Sequence, residues 1–243
     1  MKIIRLSFAI LSLAGIAHGE AFTITSYVPN KGIVGIEYNG GRTNRPFSSF
    51  TAVEQTRITD WLADQEFESS GLSVEIEEKK TRTRSDHSDD MGGQTKGTTE
   101  IIFYEVTVAN NTHVVLNDIQ IECLTFYLLD ITQSQRTNLL MQAKPGWDKY
   151  CRIDQIALSI APGETRKFNT SSVMIRNLKT DFPSIDRFPG STNYTKDDLE
   201  GFCVSVSRKD RTGEVHSKTY EKGRPPNERN WVDYTPITPK KIR

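Results

Sequence analysis

The chain has 243 residues, and its 31 Lys and Arg residues equal its 31 Asp and Glu residues in number. A chain with no excess of positive charge produces no long-range field for a polyanion, which disfavours nucleic acid binding. The length permits one large domain or two small ones.

The N-terminal residues have the pattern of a secretory signal peptide. Lys2 and Arg5 precede an apolar stretch over residues 6–16, and the small residues Ala17 and Gly19 follow it. This pattern predicts cleavage before Glu20 and a secreted or periplasmic protein. The apolar stretch is shorter than the roughly twenty residues of a membrane-spanning helix, and no later stretch approaches that length, so we expect no membrane span.

Three cysteines, Cys123, Cys151 and Cys203, remain after export. In an oxidising compartment any two of them could form a disulfide, and the third could link two chains into a covalent dimer. The alternative is that all three are small buried apolar residues.

Residues 22–67 predict a small β meander followed by a helix. Strands are expected over 22–28 and 33–38, and Asn-Gly-Gly at 39–41 favours a tight turn into a third strand over 42–47. Thr51 and Glu54 form a capping box, which predicts a helix over 52–64.

Several of these residues together match a known pattern. They are Val-Gly-Ile-Glu-Tyr-Asn-Gly-Gly-Arg at 34–42, Pro-Phe-Ser-Ser-Phe at 46–50, Glu54-Gln55, Ile58 and Trp61-Leu62. The segment resembles the Sla-type homology domain, a small Src-homology-3-like barrel. That domain binds peptide sorting signals in a fungal endocytic adaptor and recurs at the front of exported planctomycete and verrucomicrobial proteins. The resemblance implies protein or peptide binding. From their position around the turn, Tyr38, Arg42 and Arg45 are candidate peptide-binding residues.

The rest of the chain predicts strands and turns without a sustained helical pattern. Strands are expected over 72–84, 99–110, 114–130, 150–160, 166–175, 199–208 and 215–220. Residues 85–97 are expected to form a mobile loop and residues 178–196 a polar connection. This pattern is typical of a β-sandwich, and Tyr-Glu-Val-Thr-Val-Ala-Asn-Asn at 104–111 resembles strands of immunoglobulin-like and fibronectin-III-like modules.

The expected layout is therefore mainly β. A signal peptide over 1–19 precedes a Sla-type domain over 20–67, an immunoglobulin-like sandwich over 68–222 and a loosely ordered tail over 223–243. We expect an exported non-enzymatic module that binds a protein or peptide, as the resemblance implies, or has a structural role.

No catalytic, cofactor or metal constellation is predicted. His87, His113 and His216 lack ligand spacing and are expected on the surface. The alternative function is a secreted hydrolase or a carbohydrate-binding accessory protein. A hydrolase would require a converging carboxylate pair, for which Glu105 and Glu122 are the candidates.

Overall fold

The computed structural model describes residues 22–69, 71–88, 92–130, 146–184, 190–210 and 212–237. Within them the protein is mainly β, with three sheets. The chain divides into two compact units, Met1–Thr59 and Asp60–Arg243. The predicted signal peptide lies outside the described residues. No helix in the described part has both the length and the apolar composition needed to cross a membrane.

The first unit contains an antiparallel meander of three strands. They are β1 (Thr23–Val28), β2 (Ile33–Tyr38) and β3 (Gly41–Pro46), paired in the order β1-β2-β3. The predicted tight turn is confirmed, because Asn39 and Gly40 both have positive φ angles of 49° and 77°, as a two-residue hairpin turn requires. Among the described residues β1 and β3 do not pair with each other. The sheet stays open, and the expected Src-homology-3-like barrel is not confirmed.

Helix α1 (Ala52–Glu68) begins at the predicted capping box. The Thr51 amide and hydroxyl both donate to Oε2 of Glu54, at 2.7 and 2.8 Å, and the Glu54 amide donates to the Thr51 hydroxyl at 3.4 Å. The helix runs past its predicted end at residue 64 because Phe67, only 1% exposed, extends its apolar face. Along the chain, the boundary between the two units falls within α1, after Thr59. The boundary expected from the sequence was after residue 67.

The second unit has two five-stranded sheets. The first, here called the hairpin sheet, contains β4 (Leu72–Ser88), β5 (Gln94–Asn110), β8 (Thr165–Asn169), β9 (Val173–Phe182) and β10 (Ser191–Lys196). The second, here called the tail sheet, contains β6 (Leu116–Asp130), β7 (Trp147–Ile160), β11 (Asp198–Lys209), β12 (Val215–Gly223) and β13 (Thr235–Ile237). The hairpin sheet has the order β10-β9-β5-β4, with β8 also paired to β5, and the tail sheet has the order β12-β11-β6-β7-β13.

These two sheets face each other across an apolar core. Tyr104 of β5 and Phe202 of β11 stack with ring centroids 4.0 Å apart, and Ile102 packs with Tyr127 and Val173. Every second residue of β5 from position 102 to position 108 is buried, which is the period of a strand with one face toward a core. The alternation in the sequence therefore identified the inward face correctly.

The expected mobile loop over 85–97 is wrong for the residues that the structure describes. Strands β4 and β5 pair without a register shift from Leu72 opposite Asn110 to Ser88 opposite Gln94. The Gly, Ser and Asp content favoured a loop. The main-chain hydrogen bonds between paired strands do not depend on the type of side chain, and here the β4–β5 pairing extends into this segment.

The expected single strand over 166–175 is two strands, both paired with β5. The break is at Thr170, whose amide donates to the Tyr104 carbonyl at 2.9 Å and whose hydroxyl accepts from the Tyr104 amide at 3.0 Å. The polar connection expected over 178–196 is also largely strand, because β9 continues to Phe182 and β10 pairs back along it. In both segments long-range pairing decided the structure.

The described part of the C-terminal tail, residues 223–237, is more ordered than expected. The short helix α2 (Glu228–Trp231) precedes β13, which pairs in parallel with β7. A Cβ atom on Gly201 would lie 2.4 Å from the Pro225 nitrogen, so the tail crosses β11 where a side chain is missing. Tyr234, only 5% exposed, then meets Phe126 edge-on at 5.3 Å. The tail is held because it covers the outer face of the tail sheet.

Candidate functional site

The clearest candidate site is an open cleft on the hairpin sheet. Its volume is about 520 Å³, and its lining residues are Arg82, Arg84, Lys96, Gly97 and Thr98. Residues opposite each other in an antiparallel pair point to the same face, and Arg84 is opposite Thr98. The side chains of β4 and β5 that line the cleft therefore share one face, which is also the face of buried Ile102 farther along β5.

This part of the hairpin sheet continues past the end of β6. The Lys196 amide donates to a carboxylate oxygen of Asp130, the last residue of β6, at 3.0 Å. Lys196 is opposite Asn177 on β9, and Asn177 is opposite Thr98 on β5. The residues from Thr98 to Gln94, with their partners on β4 and β9, therefore lie beyond the last residue of β6 that the structure describes.

The basic residues of the cleft differ in how they are paired. Arg82 donates from Nε to Glu100 at 2.6 Å, so that charge is largely balanced. Arg84 faces the neutral Thr98, and Lys96 is flanked by Asp86 and by a second lysine, Lys179. Positive charge is thus available in the cleft, chiefly at Arg84 and Lys96.

Gly97 allows the floor of the cleft to form. A Cβ atom at this position would lie 2.1 Å from the Asn177 carbonyl oxygen, and the φ angle of 156° is one that other residues rarely adopt. Strands β5 and β9 therefore approach each other closely only because residue 97 is a glycine. Sequence reasoning missed this site, because it assigned Lys96 and Gly97 to a loop.

The peptide-binding surface expected at Tyr38, Arg42 and Arg45 does not form one surface. Arg45 is opposite the buried Val34, and strand alternation places Tyr38 on that same face and Arg42 on the other. Arg42 pairs with Glu37 at 3.3 Å on the exposed side. The guanidinium of Arg45 lies 5.0 Å from the centre of the Phe50 ring.

The three cysteines are free thiols in the structure. Burial raises the pKa of Cys151 to about 12 and that of Cys203 to about 11, and it raises the pKa of Cys123 still further. Raised pKa values disfavour the thiolate, which is the reactive form. Cys203 is the most exposed of the three and is the only one placed to react from the surface.

Glu105 and Glu122 do not converge. Glu105 belongs to β5 in the hairpin sheet and pairs with Lys167 at 3.1 Å, whereas Glu122 belongs to β6 in the tail sheet and accepts from Gln155 at 2.7 Å. Alternation places each on the outer face of its sheet, on opposite sides of the core. These two carboxylates cannot act on one bond.

A second cluster of polar groups lies at the β11–β12 turn. One ligand atom each from Asp210, Glu214 and His216 lies within 4.8 Å of the others, so these residues could hold a divalent cation. The same groups already have structural partners. Oδ1 of Asp210 accepts from the Thr212 amide and hydroxyl and from the Glu214 amide, and these bonds lower the pKa of Asp210.

His216 is less exposed than the sequence suggested. Its Nδ1 lies 2.7 Å from Glu68 on helix α1, and its Nε2 lies 3.4 Å from Asp210. Nearby, Arg208 pairs with Asp64, and the Lys218 ammonium lies 5.6 Å from the centre of the Phe67 ring. This cluster joins the C-terminal half of α1 to β11 and β12, which accounts for its charges without a ligand.

No protein-family model matches the chain, and no curated protein matches it. A structural-genomics target structure is 9% identical over 65% of this chain and 89% of its own, with a TM-score of 0.24. A protein from Akkermansia muciniphila is 7% identical over 70% and 83%, with a TM-score of 0.18. A β-glucosidase from Listeria innocua is 15% identical over 62% and 16%, with a TM-score of 0.17. Likenesses this weak assign neither a fold family nor a function.

Proposed function

We propose that the chain is an exported, non-enzymatic module that binds a protein or peptide partner in the cleft of the hairpin sheet. The observation that carries the proposal is the set of basic side chains, Arg84 and Lys96 above all, on a sheet face that continues past the end of β6. Concave sites with a few convergent polar groups are the usual ligand sites of proteins.

Two further features support binding rather than catalysis. The cysteine thiols are held in their unreactive form by burial. The carboxylates Glu105 and Glu122, candidates for a hydrolytic pair, lie on different sheets and each has a partner. The unit that carries the cleft is then a scaffold that presents a surface.

The proposal includes the domain types. An Sla-type domain in the first unit is supported by the meander followed by a capped helix. An immunoglobulin-like sandwich in the second unit is supported by its two facing sheets. Export is supported by Lys2, Arg5 and the apolar stretch after them. N-terminal sequencing of the exported chain should then identify Glu20 as its first residue.

The binding function is tested by a capture experiment with the full chain. Wild type, the Arg84→Glu/Lys96→Glu variant and a Lys167→Glu control, at an exposed position on the other face of the hairpin sheet, are each incubated with extracytoplasmic proteins of the source organism. We expect a partner that wild type and Lys167→Glu retain and the double variant loses. The interaction must also be reproduced with the purified partner.

Two results would overturn the proposal. One is that wild type retains no protein that binds again in purified form. The other is that the chain hydrolyses chromogenic glycosides or esters at a rate that the double variant shares, which would favour the enzymatic alternative.

A further inference from the structure

We propose that an extended acidic segment adds as a strand along the free edge of β4, with carboxylates at alternate positions facing Arg82 and Arg84 at the margin of the cleft. This inference rests on the proposed binding function and specifies the chemistry of the partner. Strand addition is a common mode of peptide recognition, in which main-chain bonds give affinity and alternate side chains give specificity.

Strand β4 offers an edge to such a segment. Among the described strands it pairs with β5 alone. Side chains of β12 reach only the first part of its backbone: the Tyr220 hydroxyl approaches the Leu72 carbonyl at 3.5 Å, and the Lys222 ammonium donates to the Ile76 carbonyl at 3.0 Å. From Glu77 to Ser88 no described strand pairs with this edge, and Arg82 and Arg84 of the cleft lining belong to that part.

The spacing of the arginines matches the period of a strand. Arg82 and Arg84 are two residues apart on one strand and line the same cleft. Side chains two apart on a strand are separated by about 7 Å. A paired segment has the same period, so carboxylates at positions i and i+2 would lie beside the two guanidinium groups. A segment with adjacent carboxylates would place only one of them there.

The charge of the whole face favours an acidic partner. Among the described residues from Arg82 onward, strand register places on this face the cations Arg82, Arg84, Lys96, Lys179 and Lys196 and the carboxylates Asp86, Glu100 and Asp181. The Asp130 carboxylate lies at its margin, against the Lys196 amide. The described part of the face therefore has more cations than carboxylates, although the whole chain has no excess of positive charge. Electrostatic complementarity of this kind selects partners and speeds their encounter.

Charged side chains on an edge strand commonly prevent unwanted pairing. Arg84 would repel basic segments and leave them with unpaired charge, while an acidic segment would neutralise Arg84 and share Arg82 with Glu100. The same residues can thus exclude most strands and admit one class. Simple protection of the edge is the competing explanation, and it predicts that no peptide binds.

The test compares labelled peptides of about eight residues, the length of an ordinary strand. In one, Thr and Glu alternate. In a second of the same composition, here called the block peptide, pairs of adjacent Glu alternate with pairs of Thr, so that no two Glu residues are two positions apart. In a third, Lys replaces Glu. Fluorescence anisotropy with the full chain measures affinity. We expect the alternating peptide to bind best, the block peptide roughly fivefold more weakly, and the Lys peptide not at all.

Variants and hydrogen exchange separate strand addition from simple attraction. Arg84→Ala should weaken binding of the alternating peptide roughly threefold and Arg84→Glu roughly tenfold or more, while Lys167→Glu, on the other face of the sheet, should leave binding unchanged. The bound peptide should also slow amide exchange within Glu77–Ser88, because an added strand bonds to the backbone of the edge.

Three outcomes would overturn the inference. Equal binding of the alternating and block peptides, or equal displacement of both by inorganic phosphate, would show a general anion site. Tighter binding of a single-stranded oligonucleotide would show a nucleic acid site. Failure of every peptide, while wild type still retains a partner that the double variant loses, would overturn the acidic-strand inference and leave the binding function standing.

Discussion

Asn110, at the end of β5, shows how much one side chain can organise. It has no exposed surface, and its amide group donates to the Val114 carbonyl at 2.8 Å and to the Ile160 carbonyl at 2.9 Å. Its side-chain oxygen accepts from the Thr112 amide at 2.9 Å. A single residue thus joins the start of β6 and the end of β7 to the end of β5.

We expect Asn110→Ala to lower the free energy of unfolding by about 2–4 kcal/mol, because buried groups lose their hydrogen-bond partners. Urea unfolding measures the change. The matched control is Asn111→Ala, at the next position in the chain, whose exposed side chain donates one hydrogen bond, to the Ser73 hydroxyl at 3.2 Å. Equal effects of the two changes would contradict the role given to Asn110.

The sequence predicted that β5 ends near Asn110 but not what this residue does. An Asn-Asn pair after an apolar strand is an ordinary turn signal. Only the fold brings Ile160, fifty residues away, within reach of the Asn110 amide. The cleft could not be predicted from the sequence for the same reason. Arg84 and Lys96 become neighbours only through the register of the β4–β5 hairpin, and the composition of that segment predicted a loop.

At the scale of elements, local signals predicted local structure well. The capping box located the start of α1, and alternation located β2, β5 and β6. Predictions failed where a polar segment pairs with a distant strand, as in the second half of β9, which pairs with β5, or packs on a distant face, as in the tail. Such segments have few apolar residues of their own, and their burial depends on the surface that they cover.

The tail also controls the chemistry of the thiols. Cys151 has no exposed surface and packs with Phe126 and Tyr234, while Cys203 lies at the margin of the same cluster. Burial beneath the tail therefore contributes to the raised pKa values of these two cysteines. Cys123 points to the opposite face of β6, away from the tail.

We expect truncation after Gly223 to make Cys151 reactive toward iodoacetamide at neutral to mildly alkaline pH, while Cys123 remains protected. Mass spectrometry of native protein measures the labelling. Tyr234→Ala should also increase the labelling of Cys151, to a smaller extent. Val232→Ala, at an exposed position, should leave the labelling unchanged. Equal labelling of Cys151 in full and truncated chains would show that the tail does not shield it.

The raised thiol pKa values also set the direction of a pH effect. The folded state keeps these thiols protonated, whereas an unfolded chain loses the protons near its ordinary pKa of about 8.5. The contribution of these thiols to the free energy of unfolding is therefore fully present below that pH. It decreases as the pH rises toward their pKa values in the folded state, about 11 for Cys203 and about 12 for Cys151.

At the scale of the whole molecule, the stacked rings of Tyr104 and Phe202 join the two sheets of the second unit. Both rings are almost fully buried, at 2% and 0% exposure. Apolar residues at these positions were expected from strand alternation, but their contact was not, because nearly a hundred residues separate them. Contacts between sheets depend on the order of strands, and local periodicity carries no information about that order.

We expect Phe202→Ala to destabilise both sheets of the second unit together, by about 3–5 kcal/mol, because the lost ring leaves a cavity between them. All three tryptophans, Trp61, Trp147 and Trp231, lie in this unit, so fluorescence during urea unfolding reports on it alone. Hydrogen exchange should show faster opening in β5 and in β6 to a similar extent. The control Phe182→Ala, at a position 37% exposed, should cost less than about 1 kcal/mol. If the amides of β5 kept their protection while those of β6 lost it, the two sheets would be separate folding units, and the cleft of the hairpin sheet would not depend on the tail sheet for its stability.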